Sequence, residues 1–598
     1  MAACSTPDNE DPDDGDVIPP ENPDTPDDED KPEYDKNGII VPEYKDYGRG
    51  TRDFELYALD YSRPDIDAYC AEFEEACALI NENTVPFEEQ LAVINSLELK
   101  YNTFYSMYSL SEIYSYKDTS NDYWAGEYEY LSTNSARFSR SIEQLFVACA
   151  QSVHKDRFEE EYFTSDISEY SDGGRYSDEV VALMTEEARL ESCYRNPDFT
   201  DLTLSFLGVT DTYQNHVDRI SSYPNYAFYL ANLNDLASRA YMTDIYIDIV
   251  KVRYELADAF GYDSYTELAY GTLGYDYTSK DLRSFIEDIS EYVVPVYNEL
   301  SLSYFNPYFQ TAQSQKRQHN TIINTLHGLS GTIDGEFGEI FSYMLQHKLY
   351  DIQSAGETRF DNAFTTYLYT NTSPFIFVTT AGTLDDFATI AHEFGHFIDY
   401  YVNNSSASSL EIAETCSQSY ELLSLIYAKD VSNKTVFKYL KYTAMRNALE
   451  VLIFQSMYAA IEHAVYELGK DNVNEASLNQ LVNETVGEML GTTATYSISS
   501  VLIPHMFIAP MYVQSYATSI VPSLEIFLSE YKEKGAGVGA YKKIIYRDGE
   551  ESFLLTLGEA GLSSPFKDGL LDDISNELFF YMTGRYYKTE LDEGINVA

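Results

Sequence analysis

The residues best suited to chemistry in this chain form the segment His392-Glu393-Phe394-Gly395-His396. On an α-helix, side chains four residues apart lie on one face, so His392 and His396 can bind one ion. Zinc at catalytic sites is held by three protein ligands and keeps one position open for water. Glu393 follows the first histidine and is positioned to take a proton from that water. The motif therefore predicts one zinc ion and a catalytic base.

A third zinc ligand is expected from the next helix along the chain. Ser408-Ser409-Leu410-Glu411 has the pattern of a capping box, and Glu414 follows one turn into the helix that this box would start. Glu421 lies seven residues further on the same helical face. Two interpretations of Glu421 stay open, since it either orients a metal-bound imidazole or is an ordinary solvated carboxylate.

The motif helix also has a predicted start and a predicted buried face. Thr383-Leu384-Asp385-Asp386 favours an N-cap at Thr383 with an acidic third position. Phe387, Ile390 and Phe394 then form an apolar stripe that would hold the helix against the core. The competing interpretation is a pair of buried histidines whose ring nitrogens form hydrogen bonds within the core. This motif arises rarely by chance, so the metal site is favoured.

Composition limits the classes of function. The chain has 598 residues with a formal net charge of −59. Nucleic-acid binding is not expected, because phosphate contacts need clusters of Lys and Arg, and the sequence has none. Two interpretations of the acidity remain, namely a solvated surface that aids solubility and attraction of cationic peptides. No run of 18 or more apolar residues occurs, so we expect no membrane-spanning helix.

Apolar periodicity predicts a mainly α-helical chain with a small sheet. Helical spacing marks Ile66–Ile80, Gly335–Tyr350, Val436–Leu468 and Glu475–Leu490, among other segments. Phe364–Tyr369 and Pro374–Val378 are rich in aromatic and β-branched residues, which predicts strands just before the motif helix.

The N-terminus predicts a tether and a lipid anchor. Met1-Ala2-Ala3-Cys4 resembles the end of a bacterial lipoprotein signal, and Ser5 to Asp35 is rich in Pro and acidic residues. We therefore expect a disordered tether over 1–35, a helical lobe over 36–210 and a catalytic domain over 211–598. Cys4 is the candidate lipidation site, which implies an extracytoplasmic, cell-surface protein. The alternative is a chance cysteine in a disordered tail.

Several segments resemble the M3 family of zinc peptidases, the thimet oligopeptidase and oligoendopeptidase F group. The resemblance rests on Pro374-Phe375-Ile376, Gly382 to Asp386, Ala391 to His396 and Ala413 to Glu421, and it extends from Tyr213 to Phe580. It implies a two-lobed, zincin-type metallopeptidase with a deep channel that admits oligopeptides. It also implies that His505, Tyr512 and Tyr516 stabilise the transition state. The alternatives are packing for Tyr512 and a core position for His505.

The expected function is zinc-dependent hydrolysis of short oligopeptides by a zinc-bound water that Glu393 activates. One alternative is a catalytically silent, peptide-binding lipoprotein. Another is a carboxypeptidase or dipeptidase on a similar scaffold, which would need a basic residue placed to bind a terminal carboxylate. The sequence does not determine the preferred peptide, the oligomeric state or which tyrosine is the main oxyanion donor.

Overall fold

The computed structural model describes residues 32–49, 61–82, 84–163, 166–195, 197–305, 315–405, 409–547 and 552–587. The chain is predominantly α-helical with small sheets, so the predicted fold class is confirmed. Most of the predicted tether, including Cys4, lies outside the described residues. Its last part is described, because Glu33–Tyr34 (β1) pairs with Ile40–Val41 (β2). The described residues thus include the last four positions, 32–35, of the predicted tether.

The N-terminal half is a packed group of helices, as expected from its apolar periodicity. The first helix has the predicted bounds, since Asp65 accepts a hydrogen bond from the Ala68 amide and caps it. Ile66, Phe73 and Ile80 on its inner face are buried. The described α-helices of this half are α1 (Ile66–Ile80), α2 (Phe87–Lys117), α3 (Asp122–Gln151), α4 (Lys155–Phe158) and α5 (Asp178–Arg195).

A hairpin separates the two halves of the chain. Thr203–Phe206 (β3) pairs antiparallel with Val209–Thr212 (β4), so the predicted boundary between residues 210 and 211 falls inside this hairpin. A small separate core forms around it from Leu204, Phe206 and neighbouring apolar residues.

The second half is built from longer helices, some of which contain π-helical turns. Its α-helices are α6 (Tyr213–Ile220), α7 (Tyr226–Phe260), α8 (Tyr265–Leu273), α9 (Ser279–Asp288), α10 (Val294–Leu300), α11 (His319–Ile333), α12 (Gly335–Gln346), α13 (Asp386–Asn403), α14 (Leu410–Val431), α15 (Lys434–Glu450), α16 (Ser456–Glu467), α17 (Glu475–Leu490), α18 (Pro504–Ile508), α19 (Val513–Lys532), α20 (Ala536–Ile545), α21 (Phe553–Ala560) and α22 (Leu570–Thr583). The predicted helix Val436–Leu468 is thus α15 and α16 with a π turn, Val451–Gln455, between them.

A three-stranded mixed sheet lies beside the motif helix α13. Its strands are Tyr350–Ser354 (β5), Ala363–Leu368 (β6) and Ser373–Thr380 (β7), in the order β5-β7-β6. The central β7 is buried along its whole length. The sequence predicted β6 and β7 but not β5, because the helical pattern before it runs on to Tyr350. Instead, α12 ends at Gln346, and Lys348 adopts a left-handed conformation before the strand starts.

One continuous hydrophobic core joins the two halves. It includes Ile66 of α1, Phe394 of α13 and Met582 of α22. Among the residues described, no helix combines the length and apolarity needed to cross a membrane.

Candidate active site

Hydrogen bonds to polar side chains stabilise the N-termini of the two helices that carry the predicted zinc ligands. The N-cap of α13 is Asp385, whose side chain makes no capping bond, so the prediction of Thr383 as N-cap is wrong. Instead, the Asp386 carboxylate accepts hydrogen bonds from the backbone amides of Ala381 and Thr383.

Ser409 caps α14 by accepting a hydrogen bond from the Ile412 amide. Ser408, the first residue of the predicted capping box, lies outside the described residues.

Gly395 allows α13 and α14 to approach each other closely at the site. A Cβ atom at this position would lie 2.6 Å from Cα of Ser417 and 2.7 Å from the carbonyl oxygen of Cys416. Because no side chain larger than hydrogen fits between the backbones, the glycine sets the separation of the two helices. That separation brings Glu414 to the face that carries both histidines.

The structure brings His392, His396 and Glu414 together. One ligand atom from each lies within 4.8 Å of the other two. Oε2 of Glu414 is 3.3 Å from Nε2 of His392 and 3.7 Å from Nε2 of His396. Metal–ligand bonds of about 2.1 Å in a tetrahedron separate ligand atoms by roughly 3.4 Å, so this donor set fits zinc. Glu421 is also close, with Oε2 3.5 Å from Nδ1 of His392.

Burial and neighbouring charges shift the pKa values of the three predicted ligands in different directions. Burial would raise the pKa of Glu414, but His396 and His392 outweigh it and lower that pKa to about 2. Burial lowers the pKa of His396 to about 4. Glu414 is therefore a carboxylate and His396 a neutral imidazole near neutral pH. Burial would lower the pKa of His392, but Glu414 and Glu421 outweigh it and raise that pKa well above its ordinary value, so His392 must release a proton when it binds a metal ion. The carboxylate of Glu414 and the neutral imidazole of His396 are already in the protonation states that bind a metal ion.

Glu393 is buried beside the ligands and is held by a residue of the sheet. Its Oε2 accepts a hydrogen bond of 2.7 Å from the hydroxyl of Thr365 on β6. Burial raises the pKa of Glu393 to about 7, although the neighbouring His392 and the Thr365 hydroxyl oppose the shift. A carboxylate with a pKa near neutrality both accepts and releases protons readily.

His505, Tyr512 and Tyr516 form one cluster next to Glu414. The hydroxyl of Tyr512 donates to Oε1 of Glu414 at 2.7 Å. The hydroxyl of Tyr516 lies 3.4 Å from Nε2 of His505. The rings of the two tyrosines are 5.2 Å apart. Burial lowers the pKa of His505 and raises the pKa of both tyrosines, so neutral donors face the metal site.

Buried charges hold the segment between His505 and Tyr512. Arg253 is fully buried, and its guanidinium donates to the carbonyl oxygens of Met506 at 2.7 Å and Phe507 at 2.5 Å. The Met511 amide donates to Oε1 of the buried Glu462 at 3.1 Å. Met511 has φ +60°, a left-handed conformation that a non-glycine residue adopts only when its surroundings impose it. The cluster is thus positioned by contacts with α7 and α16.

Two cavities adjoin these residues. One, of about 510 Å³, is lined in part by His392, Glu421 and Tyr516. The other, of about 540 Å³, reaches Tyr512 and is lined by residues of both halves of the chain, including Glu187 of α5 and Tyr262. A larger cavity of about 1740 Å³ lies at β5 and contains none of the predicted site residues. Proximity to the ligands, and not volume, therefore marks the candidate active site.

Two sequence profiles match the chain and together cover more than half of it. The profile described as Peptidase M3 N-terminal domain matches residues 57–167. The profile described as Peptidase family M3 matches residues 340–576, which include the three predicted zinc ligands, Glu393 and the three predicted oxyanion donors. The chain belongs to peptidase family M3. It is therefore a peptidase, and the resemblance predicted from its motifs is confirmed.

Solved structures share the fold of this M3 peptidase. PZ peptidase A bound to an inhibitor superposes with a TM-score of 0.71 at 19% identity, covering 88% of this chain and 98% of that chain. A Bacillus anthracis protein assigned as oligoendopeptidase F gives 0.71 at 22% identity, over 89% and 98%. Oligoendopeptidase F from Enterococcus faecium gives 0.53 at 12% identity, over 89% and 99%. A comparison with curated protein sequences found no match.

Several residues that shape the site of this M3 peptidase were not predicted as site residues. Thr365 was expected only as part of a strand, and nothing in its sequence context indicates its contact with Glu393. Ser417 donates to Oε2 of Glu414 at 3.1 Å. Gly395 had a usable signal, because a glycine between two ligands of a helix interior lowers helix propensity and so indicates a close approach.

Proposed function

We propose that the protein is a zinc-dependent endopeptidase that hydrolyses short oligopeptides. The observation that carries this proposal is the convergence of His392, His396 and Glu414 around one point, with the carboxylate of Glu393 beside them. A bound zinc ion would supply Lewis acidity, lowering the pKa of a water molecule and polarising the scissile carbonyl. The remaining steps depend on side chains of this chain.

Glu393 acts as the base in this proposal. It accepts a proton from the attacking water, whose oxygen forms a bond to the carbonyl carbon of the substrate. It then delivers a proton to the leaving nitrogen as the C–N bond breaks. The hydrogen bond from Thr365 keeps Oε2 of Glu393 in one orientation through both transfers.

His505 and Tyr516 supply hydrogen-bond donors for the oxyanion of the tetrahedral intermediate, whereas Tyr512 donates its single hydroxyl proton to Glu414. Donors that are already in position stabilise charge as it develops, without a cost of reorganisation. Burial favours the neutral form of all three side chains, so each tyrosine keeps its hydroxyl proton for donation.

The position of β6 supports an extended peptide as substrate. β6 is an edge strand of the sheet, and Thr365 on it touches Glu393. An exposed strand edge can pair with the main chain of a peptide irrespective of its side chains. The names of the similar structures, PZ peptidase A and oligoendopeptidase F, agree with peptide substrates.

The test combines metal analysis with digestion of a peptide library. We expect the wild type to contain one zinc ion per chain, to cut internal bonds of oligopeptides and to lose activity when a chelator removes the metal. Glu393→Gln should retain zinc and lose at least about a thousandfold in kcat, since the variant cannot accept the proton. Hydrolysis that survives in Glu393→Gln would overturn the assigned base. Zinc without any cleavage would indicate a silent binding protein, and release of terminal residues alone would indicate an exopeptidase.

We also propose a cell-surface location through lipid attachment at Cys4. The proposal rests on the lipoprotein-like residues around Cys4 and on the acidic, Pro-rich stretch that follows. When the full chain is expressed in a bacterium, labelling with an alkynyl fatty acid should modify the wild type and not Cys4→Ala. Equal labelling of the two would overturn the proposal.

A further inference from the structure

The cavity of about 1740 Å³ at β5 is basic, although the protein is strongly acidic. Its basic lining residues outnumber its acidic ones, with Lys36, Lys117, Lys316, Arg317 and Lys348 against Asp35 and Asp351. The whole chain has 39 basic and 98 acidic residues. The cavity therefore reverses the charge balance of the protein, and such a local cluster of cations attracts anionic groups.

The acidic residues of this basic cavity are already used within the fold. The Asp351 carboxylate forms ion pairs with Lys117 at 2.9 Å and with Arg359 at 3.0 Å. Oδ1 of Asp35 accepts hydrogen bonds from two backbone amides of the turn between β1 and β2, at 2.8 and 2.9 Å. Both carboxylates thus stabilise local structure.

Three cations of the basic cavity form no ion pair with any described residue. Lys36 and Lys316 are exposed, and Arg317 is half-buried. The guanidinium of Arg317 donates to the carbonyl oxygen of Lys316 at 2.8 Å. The charges of these three side chains are therefore available to an anionic ligand that enters the cavity.

The shape of the basic cavity suits an extended peptide. All five residues of β5, an edge strand of the described sheet, contribute to the lining. A strand of five residues is about 17 Å long. An extended chain of similar length can therefore lie along the cavity and present several carboxylates to its cations.

The chain's own acidic N-terminal stretch ends next to the basic cavity. Residues 27–30 are all acidic, and only four residues separate them from Asp35 in the lining. β1 pairs antiparallel with β2, so the chain before Glu33 is directed towards Pro42 and Tyr44, which also line the cavity. Covalent attachment through so short a connection gives a local concentration in the millimolar range, so even a weak site is filled.

We propose that the basic cavity binds the chain's own acidic stretch, residues 27–30, with its carboxylates on Lys36, Lys316 and Arg317. Binding fixes the point at which the predicted tether leaves the folded protein, beside β5 and the start of α11. The attraction is between groups near solvent, so it weakens as the salt concentration rises. The inference does not depend on the proposed peptidase function, because the lining contains none of the predicted site residues.

The test measures, by fluorescence anisotropy, how a labelled peptide with the sequence of residues 23–31 binds to the full chain. Every protein used carries Glu393→Gln, so that the probe stays intact. In a neutralised chain, the acidic residues 27–30 are replaced by Asn or Gln, which leaves the cavity without its own occupant. We expect the probe to bind the neutralised chain at least about tenfold more tightly than the chain with its native stretch, and to lose affinity as salt is added.

Charge reversal in the lining tests the assigned side chains. Lys316→Glu with Arg317→Glu, introduced into the neutralised chain, should weaken probe binding by at least about tenfold, because like charges then face the probe. Lys280→Glu with Lys429→Glu is the matched control, since it changes the net charge equally at two exposed positions outside the lining. The control should change the affinity by less than about threefold.

Carbodiimide coupling locates the occupant in the native full chain. Mass spectrometry should find amide bonds between the carboxylates of residues 27–30 and Lys316. In an equal mixture of isotope-labelled and unlabelled protein, both partners of each bond should carry the same label, because the stretch binds within its own chain.

Several results would overturn the docking of the acidic stretch. They are absence of probe binding to the neutralised chain, equal affinity for the neutralised and native chains, probe binding that Lys316→Glu with Arg317→Glu leaves unchanged, and coupled pairs that join labelled to unlabelled chains. None of these results depends on whether the protein cleaves peptides.

Discussion

The hydroxyl of Tyr512 donates a hydrogen bond of 2.7 Å to Oε1 of Glu414, the oxygen of that carboxylate that does not face the histidines. The two oxygens of Glu414 therefore have separate partners. Oε2 lies next to His392 and His396, whereas Oε1 is held by Tyr512. Tyr516 has a different environment, because its hydroxyl is near Nε2 of His505. The two tyrosines are thus not equivalent, although they lie one helical turn apart.

Tyr512→Phe and Tyr516→Phe should affect different measured quantities. Loss of a side chain that orients a metal ligand typically weakens metal binding by about 10- to 100-fold, so we expect Tyr512→Phe to raise the Kd for zinc in that range. Tyr516→Phe should raise the zinc Kd less than Tyr512→Phe does and lower kcat by about a hundredfold, because it removes an oxyanion donor. Chelator competition and steady-state kinetics measure the two effects. Identical zinc affinity in both variants would contradict the assignment.

Thr365→Val should lower kcat without releasing zinc. Valine keeps the shape of threonine but removes the donor to Glu393. A hydrogen bond to a charged group contributes about 1.5–3 kcal/mol, so we expect a decrease of about 10- to 100-fold at saturating peptide. Thr365→Ser restores the hydroxyl and should recover most of the activity. If the Thr365→Val variant and the wild type turn over peptide at the same rate, Thr365 does not position Glu393.

Gly395→Ala should separate the ligand helices. The added Cβ would lie within 3.0 Å of backbone atoms of Ser417 and Cys416, and backbone cannot move aside as a flexible side chain does. We expect a lower melting temperature and at least a tenfold weaker zinc affinity.

Gly328→Ala is the matched control, because Gly328 lies in α11 with no heavy atom within 4 Å of an added Cβ. Alanine there should stabilise the helix by up to about 1 kcal/mol and leave zinc binding as it is. Normal zinc affinity in Gly395→Ala would show that the close approach of the helices is not needed.

Glu411→Gln should change the pH dependence of stability. Burial raises the pKa of Glu411 from 4.5 to about 7, so the folded state binds a proton more tightly than the unfolded state does. The associated stabilisation is fully present below pH 4.5 and is lost as the pH rises through 7. Glutamine is uncharged throughout and can keep contacts with Tyr277 and Ser515.

The melting temperature of Glu411→Gln relative to wild type should therefore rise between pH 5 and pH 8. The corresponding free energy is at most about 3 kcal/mol. Glu98→Gln, on the exposed face of α2, serves as the control and should follow the wild type. A pH-independent difference for Glu411→Gln would mean that the buried carboxyl does not titrate in this range.

The parts of the site that could be predicted are those set by local geometry. The spacing of His392 and His396 places them on one face of any α-helix, and Glu414 follows a recognisable helix start. Thr365 could not be predicted, because its contact with Glu393 depends on how β6 lies against α13. The strand β5 was missed for a related reason. Tyr350–Ser354 gains its strand structure from parallel pairing with β7, and the apolar spacing before it is helical.

The oxyanion donors also combine features that the sequence predicts with features that depend on distant contacts. Tyr512 and Tyr516 were expected from a family pattern, but their unequal surroundings depend on the left-handed Met511 and on buried contacts with Glu462 and Arg253. These contacts join residues that are far apart in the chain. The residues next to Met511 in the sequence do not indicate its left-handed conformation, because that conformation depends on these distant contacts.

Arg253 also limits how this protein can be divided. Its guanidinium connects Glu187 of α5, in the N-terminal half, to the backbone that carries His505. A fragment lacking the first half would keep this guanidinium in the interior without its carboxylate partner, a strongly destabilising state. The N-terminal helices are therefore not a detachable module, and exchanging them between relatives would require the Glu187–Arg253 pair to be transferred as a unit.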